Sequence, residues 1–220
     1  MGTYYRCVQG DAARADTLYK DHVVPFLKAE QAAGNIAAYG WAKHWEGGDW
    51  RRLEYVTGTD LDKMMDSRAS LIKMIQAPEH AKAMDEFDRV CASHDDYIWA
   101  SKASSQAPGA VAQARSPFAI STYYECGSDE DEADAIVKTA FAPILNQHVK
   151  DGKIASWNWL EHLVGGKYRR VLVLDTPSAK ATLKYWGGLW EEVGKTQPEF
   201  SRRFTAVCSS HSDYIWEFGN

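Results

Sequence analysis

Apolar residues alternate in some stretches and recur every three or four positions in others, dividing the first hundred residues into six elements. Thr3-Tyr4-Tyr5 opens a β-rich run over residues 3–8. Residues 12–33 carry a helical apolar pattern through Leu18, Val23, Phe26 and Leu27, and Gly34 closes it as a C-cap. Pro25 within that run predicts a kink or a helix restart, because proline lacks the amide proton and crowds the preceding turn. Residues 36–45 and 50–57 are aromatic and β-branched, and Gly47-Gly48 between them suits a tight hairpin turn with positive φ. Thr59-Asp60 reads as an N-cap region for a helical stretch to about residue 90, interrupted near Pro78. Tyr97-Ile98-Trp99 supplies a last strand, so the order is β-α-β-β-α-β.

That order returns. Ser93-His94-Asp95-Asp96-Tyr97-Ile98-Trp99 recurs as Ser210-His211-Ser212-Asp213-Tyr214-Ile215-Trp216, each preceded by a cysteine, Cys91 or Cys208. Thr3-Tyr4-Tyr5-Arg6-Cys7 matches Thr122-Tyr123-Tyr124-Glu125-Cys126. Trp41-Ala42-Lys43-His44 matches Trp159-Leu160-Glu161-His162, and Gly47-Gly48 and Arg51-Arg52 match Gly165-Gly166 and Arg169-Arg170. The spacing of partners drifts only from 119 to 117 residues, so one unit has been copied with its element order intact. Residues 101–117 break the pattern with Ala, Ser, Gln, Pro and Gly and read as a linker between repeats at 1–100 and 118–220.

A β-α-β-β-α-β unit commonly makes a four-stranded antiparallel sheet with both helices on one face, leaving the other face in need of cover. On element order and duplication the chain resembles the dimeric α/β-barrel superfamily. The expected fold class is α+β: two ferredoxin-like repeats packed sheet to sheet as a pseudo-dimeric α/β barrel. The resemblance implies small-molecule chemistry, since that superfamily includes cofactor-independent oxygenases, cyclases, isomerases and haem-handling proteins acting on aromatic or hydrophobic compounds. No motif of a particular family stands in the chain.

Nine Trp and eleven Tyr exceed what a domain of this size needs, which fits either a large core or a ligand-lined cavity. A net charge of −5 with signs interspersed argues against a nucleic-acid partner, and no apolar run approaches the roughly 20 residues that span a bilayer. A homo-oligomer stays open. The first strand follows Met1-Gly2 directly, so no leader is expected in this chain; a leader already removed is the alternative. In the expected unit the first and last strands are neighbours, which sets Cys7 beside Cys91 and Cys126 beside Cys208. Disulfides there would place the protein in the periplasm or outside the cell; buried thiols would leave it cytoplasmic.

Candidate chemistry is sparse. His44 and His162, near the hairpin ends of their strands, are the candidate general acids or bases, against the plainer reading of strand histidines bonding a neighbour. Under a two-residue turn Trp41, Arg52 and Glu54 share one sheet face, as do Trp157, Trp159, Glu161, Arg170 and Leu172 in the second copy. That mixed face suits a ligand pocket, with Trp41, Arg52, Glu54, Trp159 and Arg170 lining it, while the aliphatic face meets the helices. A longer hairpin loop would exchange the faces. Cys91-x-x-His94 and Cys208-x-x-His211 have metal-like spacing, but residues three apart on a strand point to opposite faces, so no metal is assigned. Asp96 and Asp213 lack a nucleophile with a glycine elbow, and Asp129-Glu130-Asp131-Glu132 reads as a solvated run at a helix N-terminus. No motif specifies a cofactor; haem or a metal stays open. The second reading of function is a non-catalytic, disulfide-stapled extracytoplasmic protein for binding or assembly.

Overall fold

The computed structural model describes residues 1–106, 116–127 and 129–219. The first copy runs β1 (Gly2–Arg6), α1 (Ala12–Leu18), a π-helical turn (Tyr19–Val23), α2 (Val24–Ala32), β2 (Ala38–Gly47), β3 (Arg52–Thr57), α3 (Leu61–Ile75), α4 (Pro78–Val90) and β4 (Ser93–Gln106). The second runs β5 (Phe118–Glu125), α5 (Glu130–Ile136), a π-helical turn (Val137–Phe141), α6 (Ala142–Lys150), β6 (Ser156–Val164), β7 (Arg170–Thr176), α7 (Ala179–Thr196), α8 (Pro198–Val207) and β8 (Ser210–Phe218). Pro25 and Pro143 each fall in the first turn of the helix after a π-helical turn, where the missing amide proton sacrifices no helical bond. Asp60 caps α3 by accepting from the Lys63 amide, and Ser178 caps α7 through the Ala181 amide. Gly34 and Gly152 turn the chain out of α2 and α6 with φ of 75° and 68°.

The expected fold class is corrected here. The strands do not form two ferredoxin-like sheets packed face to face; they close into one antiparallel barrel in the order β1-β3-β2-β8-β5-β7-β6-β4. The physical reason lies at the sheet edges. A separate four-stranded sheet would leave its outer strands with unpaired amides and carbonyls, whereas edge-to-edge pairing removes every edge. β4 shows how this is done: it continues to Gln106, through residues expected to begin the linker, and pairs with β6 from Ile98↔Val164 to Gln106↔Ser156. Residues 107–115 of the expected linker lie outside the described residues.

Contacts divide the chain into two compact units, residues 1–43 with 49–96, and residues 44–48 with 97–220. In the first, β1 and β2 flank β3, with Tyr4 and Ala42 both opposite Leu53. Its helices bury Leu18, Tyr19, Leu27, Met64, Leu71 and Phe87 against one sheet face. In the second, β5 lies between β7 and β8 and β7 pairs with β6, while Ile136, Phe141, Leu145, Leu189, Val193 and Phe204 pack on Trp159 and Leu172. Cys7 is bonded to Cys91 inside the first unit and Cys126 to Cys208 inside the second, each joining the end of a first strand to the start of a last one.

Candidate functional site

The residues expected to line a pocket sit on the side of the sheet that meets the helices. Trp41, Arg52 and Glu54 do share a face, but that face is the helix-packed one. Trp41 Nε1 donates to Asp16 of α1 at 2.7 Å, and the Arg52 guanidinium donates to both oxygens of the same carboxylate at 2.5 and 3.0 Å. The second unit repeats the arrangement on α5: Asp134 accepts from Trp159 Nε1 at 2.7 Å and from Arg170 at 2.7 and 2.9 Å. Arg170 also donates to Glu130 at 2.6 Å, so the supposedly solvated acidic run is partly a structural anchor. Burial works to raise Asp134 and Glu130; the arginine bonds overcome it and leave both below the usual carboxylate range. Glu54 is held by Arg68 of α3 at 3.2 Å, and burial pushes its carboxyl up against that attraction. The apolar gap among Tyr124, Phe141, Trp159, Leu172 and Phe204 on this side is water-sized, a packed core more than a ligand cavity.

The facing differs from the expected one for a definite reason. Trp beside Arg and Glu suggests a ligand surface, but one helix aspartate satisfies both the indole and the guanidinium, and Arg68 takes the glutamate, so the polar groups are met on the helix side. The opposite, helix-free face holds what the sequence did not reveal. Within the second unit, Tyr97 stacks on Trp99 at 4.8 Å and Tyr214 on Trp216 at 5.3 Å, both nearly parallel. Each pair attends one candidate histidine: His162 lies 5.8 Å from Tyr97 and 6.0 Å from Trp99, and His44 lies 6.2 Å from both Tyr214 and Trp216. The structure thus gathers His44 and His162 with aromatic slabs but separates them from Trp41, Arg52, Glu54, Trp159 and Arg170. The i, i+2 spacing of Tyr97-x-Trp99 and Tyr214-x-Trp216 was the signal that could have found the slabs, since it puts both rings on one strand face.

The same contacts explain the twice-written motif. A Cβ on Gly48 would lie 2.3 Å from the Tyr214 hydroxyl, and one on Gly166 would lie 2.6 Å from that of Tyr97. Gly47 and Gly165, with φ of 125° and 149°, meet the Asp213 carbonyl and the Tyr97 ring. Each Gly-Gly hairpin is therefore the seat of the tyrosine from the other copy's last strand. The motif's aspartates are bound as well: Thr3 donates to Asp96 at 2.7 Å and Thr122 to Asp213 at 2.6 Å, with His94 and His211 at 3.2 and 3.6 Å. With all four cysteines in disulfides, the Cys-x-x-His spacing has no thiolate to offer a metal.

His162 stands out on this face. Its Nδ1 is bonded to the Arg169 guanidinium, which can only donate, so the ring proton belongs on Nε2. Burial and then the Arg169 charge lower its pKa, with the Glu130 carboxylate opposing and the Gly165 carbonyl opposing from outside hydrogen-bonding geometry. Its Nε2 is buried and, among the described residues, has no hydrogen-bond partner. A neutral N–H donor enclosed by aromatic rings and left unused by the fold is a chemical resource.

No family model matches the chain, and no curated protein matches it. Solved structures do match over its whole length. An anthrone oxidase-like protein superposes with a TM-score of 0.58 at 10% identity, covering 100% of this chain and 90% of its own. A provisionally assigned chlorite dismutase gives 0.57 at 10% identity, with 100% and 93% covered. A provisionally assigned monooxygenase from Lactobacillus acidophilus NCFM gives 0.55 at 8% identity, with 99% and 91% covered. These neighbours are dimeric α/β-barrel proteins. The likeness is one of fold. Haem, which the resembled superfamily raises as a cofactor, would need an imidazole nitrogen with a free lone pair; in His162 the Nδ1 lone pair accepts from Arg169 and Nε2 carries the proton, so the residues as arranged do not fit a haem there.

Proposed function

We propose that this protein binds, and acts on, a small aromatic or hydrophobic molecule at the helix-free face of its second unit. The observation that carries the reading is the buried, unpartnered Nε2–H of His162 between Tyr97 and Trp99. Flat rings offer stacking area to a planar ligand, and the N–H of a neutral imidazole donates a hydrogen bond to a ligand oxygen while keeping its proton. His44, beside Tyr214 and Trp216, is the counterpart position. In this reading Trp41, Arg52, Glu54, Trp159 and Arg170 hold sheet to helix and do not touch ligand. The fold neighbours lend support by bearing the names of an oxidase-like protein and a monooxygenase. The two disulfides favour an extracytoplasmic setting.

Titrating anthrone, a planar aromatic probe suggested by the first of those neighbours, while following tryptophan fluorescence tests the proposal. Saturable quenching that weakens about tenfold or more in His162→Ala is expected, since a ligand bond to a buried donor contributes on the order of 1.4 kcal/mol. Equal affinity in wild type and His162→Ala would remove the histidine from the site. The stapled binding or assembly protein remains the second reading, favoured by one observation: nearly every other residue repeated in both copies has a structural partner.

A further inference from the structure

Outside that face, the first unit places two histidines against each other. His22 lies in the π-helical turn Tyr19–Val23 and His80 in the first turn of α4. Their Nδ1 atoms are 3.1 Å apart, with the rings crossing at 89° and both side chains half-buried. A hydrogen bond between two imidazole nitrogens needs one proton, so one Nδ1 donates and the other presents a bare lone pair. The second copy lacks the pair: its matching π-helical turn, Val137–Phe141, has Ala140 where the first has His22. The fold therefore does not require a histidine there, and π-helical turns often mark functional positions.

The separation is also that of two neighbouring ligands on one ion. With metal–nitrogen bonds of about 2.0–2.1 Å, nitrogens this far apart subtend about 100° at the metal, between square-planar and tetrahedral angles. We propose that His22 and His80 together hold one late divalent transition-metal ion, Cu²⁺ foremost and Zn²⁺ next, through their Nδ1 atoms. Imidazole pairs favour Cu²⁺, which stands highest in the order of divalent affinities. Among the described residues no third histidine, cysteine or carboxylate completes the set, so water fills the remaining positions. On binding, the ring that carried Nδ1–H keeps its proton by moving it to Nε2, and both rings turn so that their lone pairs meet off the line joining the nitrogens. The ion would clasp the π-helical turn to α4.

The test is titration of the metal-free, disulfide-intact chain with Cu²⁺ alone, read by visible absorption and electron paramagnetic resonance. One tight equivalent with two coupled nitrogens is expected, weakened about tenfold or more in His22→Ala and in His80→Ala alike. His22→Ala reproduces the residue of the second copy's turn, which guards against misfolding, and circular dichroism checks both variants. His94→Ala with His211→Ala, which removes exposed imidazoles, should leave the first equivalent unchanged. The proposal fails if the tight equivalent survives in His22→Ala/His80→Ala, or if it disappears in the His94→Ala/His211→Ala control.

Discussion

Two positions at the same place in the two copies hold opposite chemistry. Opposite Trp41, β3 carries Glu54; opposite Trp159, β7 carries Leu172. Both are buried. Leu172 joins Trp159, Tyr124 and Phe204 in a hydrocarbon cluster, while Glu54 is a carboxylate that survives there through Arg68. Two residues earlier the copies agree: Arg52 and Arg170 each fork onto a helix aspartate. What duplication kept is the stitch that orients a helix over the sheet. What it let drift is a core position where burial is served by packing or, at the cost of desolvation, by an ion pair.

The largest effect should be the one in which the copies behave alike. The disulfides span separations of 84 and 82 residues, so chain entropy assigns each about 4 kcal/mol of stability. Urea denaturation of Cys7→Ser/Cys91→Ser and of Cys126→Ser/Cys208→Ser should show comparable losses. A loss confined to one pair would break the equivalence of the copies.

Next comes the arginine stitch, where a difference is expected. Arg170→Met strands two partly buried carboxylates, Asp134 and Glu130, and should lose about 3 kcal/mol. Arg52→Met strands Asp16 alone, with Lys43 still 3.8 Å away, and should lose about half as much. Equal losses would mean that the Glu130 bond contributes nothing.

The repeat, its element order, the helix caps at Asp60 and Gly34 and the interruptions at Pro25 and Pro78 were all legible, because each depends on local periodicity or on one residue's backbone preference. Face membership on the β2–β3 hairpin was legible too; which face met the helices was not. Asp16 lies 25 residues before Trp41 in sequence, and nothing local says that it will accept from both Trp41 and Arg52. Closure of the sheet escaped for the same reason: pairing of β4 with β6 is a long-range choice, and Ser101–Gln106 have the composition of a linker, not of a strand. The histidines were singled out because they repeat, but their aromatic company comes from the other copy's last strand.

The smallest effect would sharpen the opening contrast most. Importing the second copy's residue as Glu54→Leu should raise stability by about 1 kcal/mol at neutral pH, because it replaces a buried ion pair by packing and leaves Arg68, itself partly exposed, with Asp96 at 3.7 Å. The pH dependence identifies the cause. Burial raises the Glu54 carboxyl in the folded protein, so as pH climbs the unfolded chain gives up this proton first. Wild-type stability therefore falls between the unfolded and folded values of that group and stays lower above them. Glu130 and Asp134, held low, act in the opposite sense and lose their contribution as pH falls through their folded values; they are common to both proteins and cancel in the difference. The advantage of Glu54→Leu should accordingly shrink as pH is lowered toward 4, and an advantage that is flat with pH would assign it to packing alone.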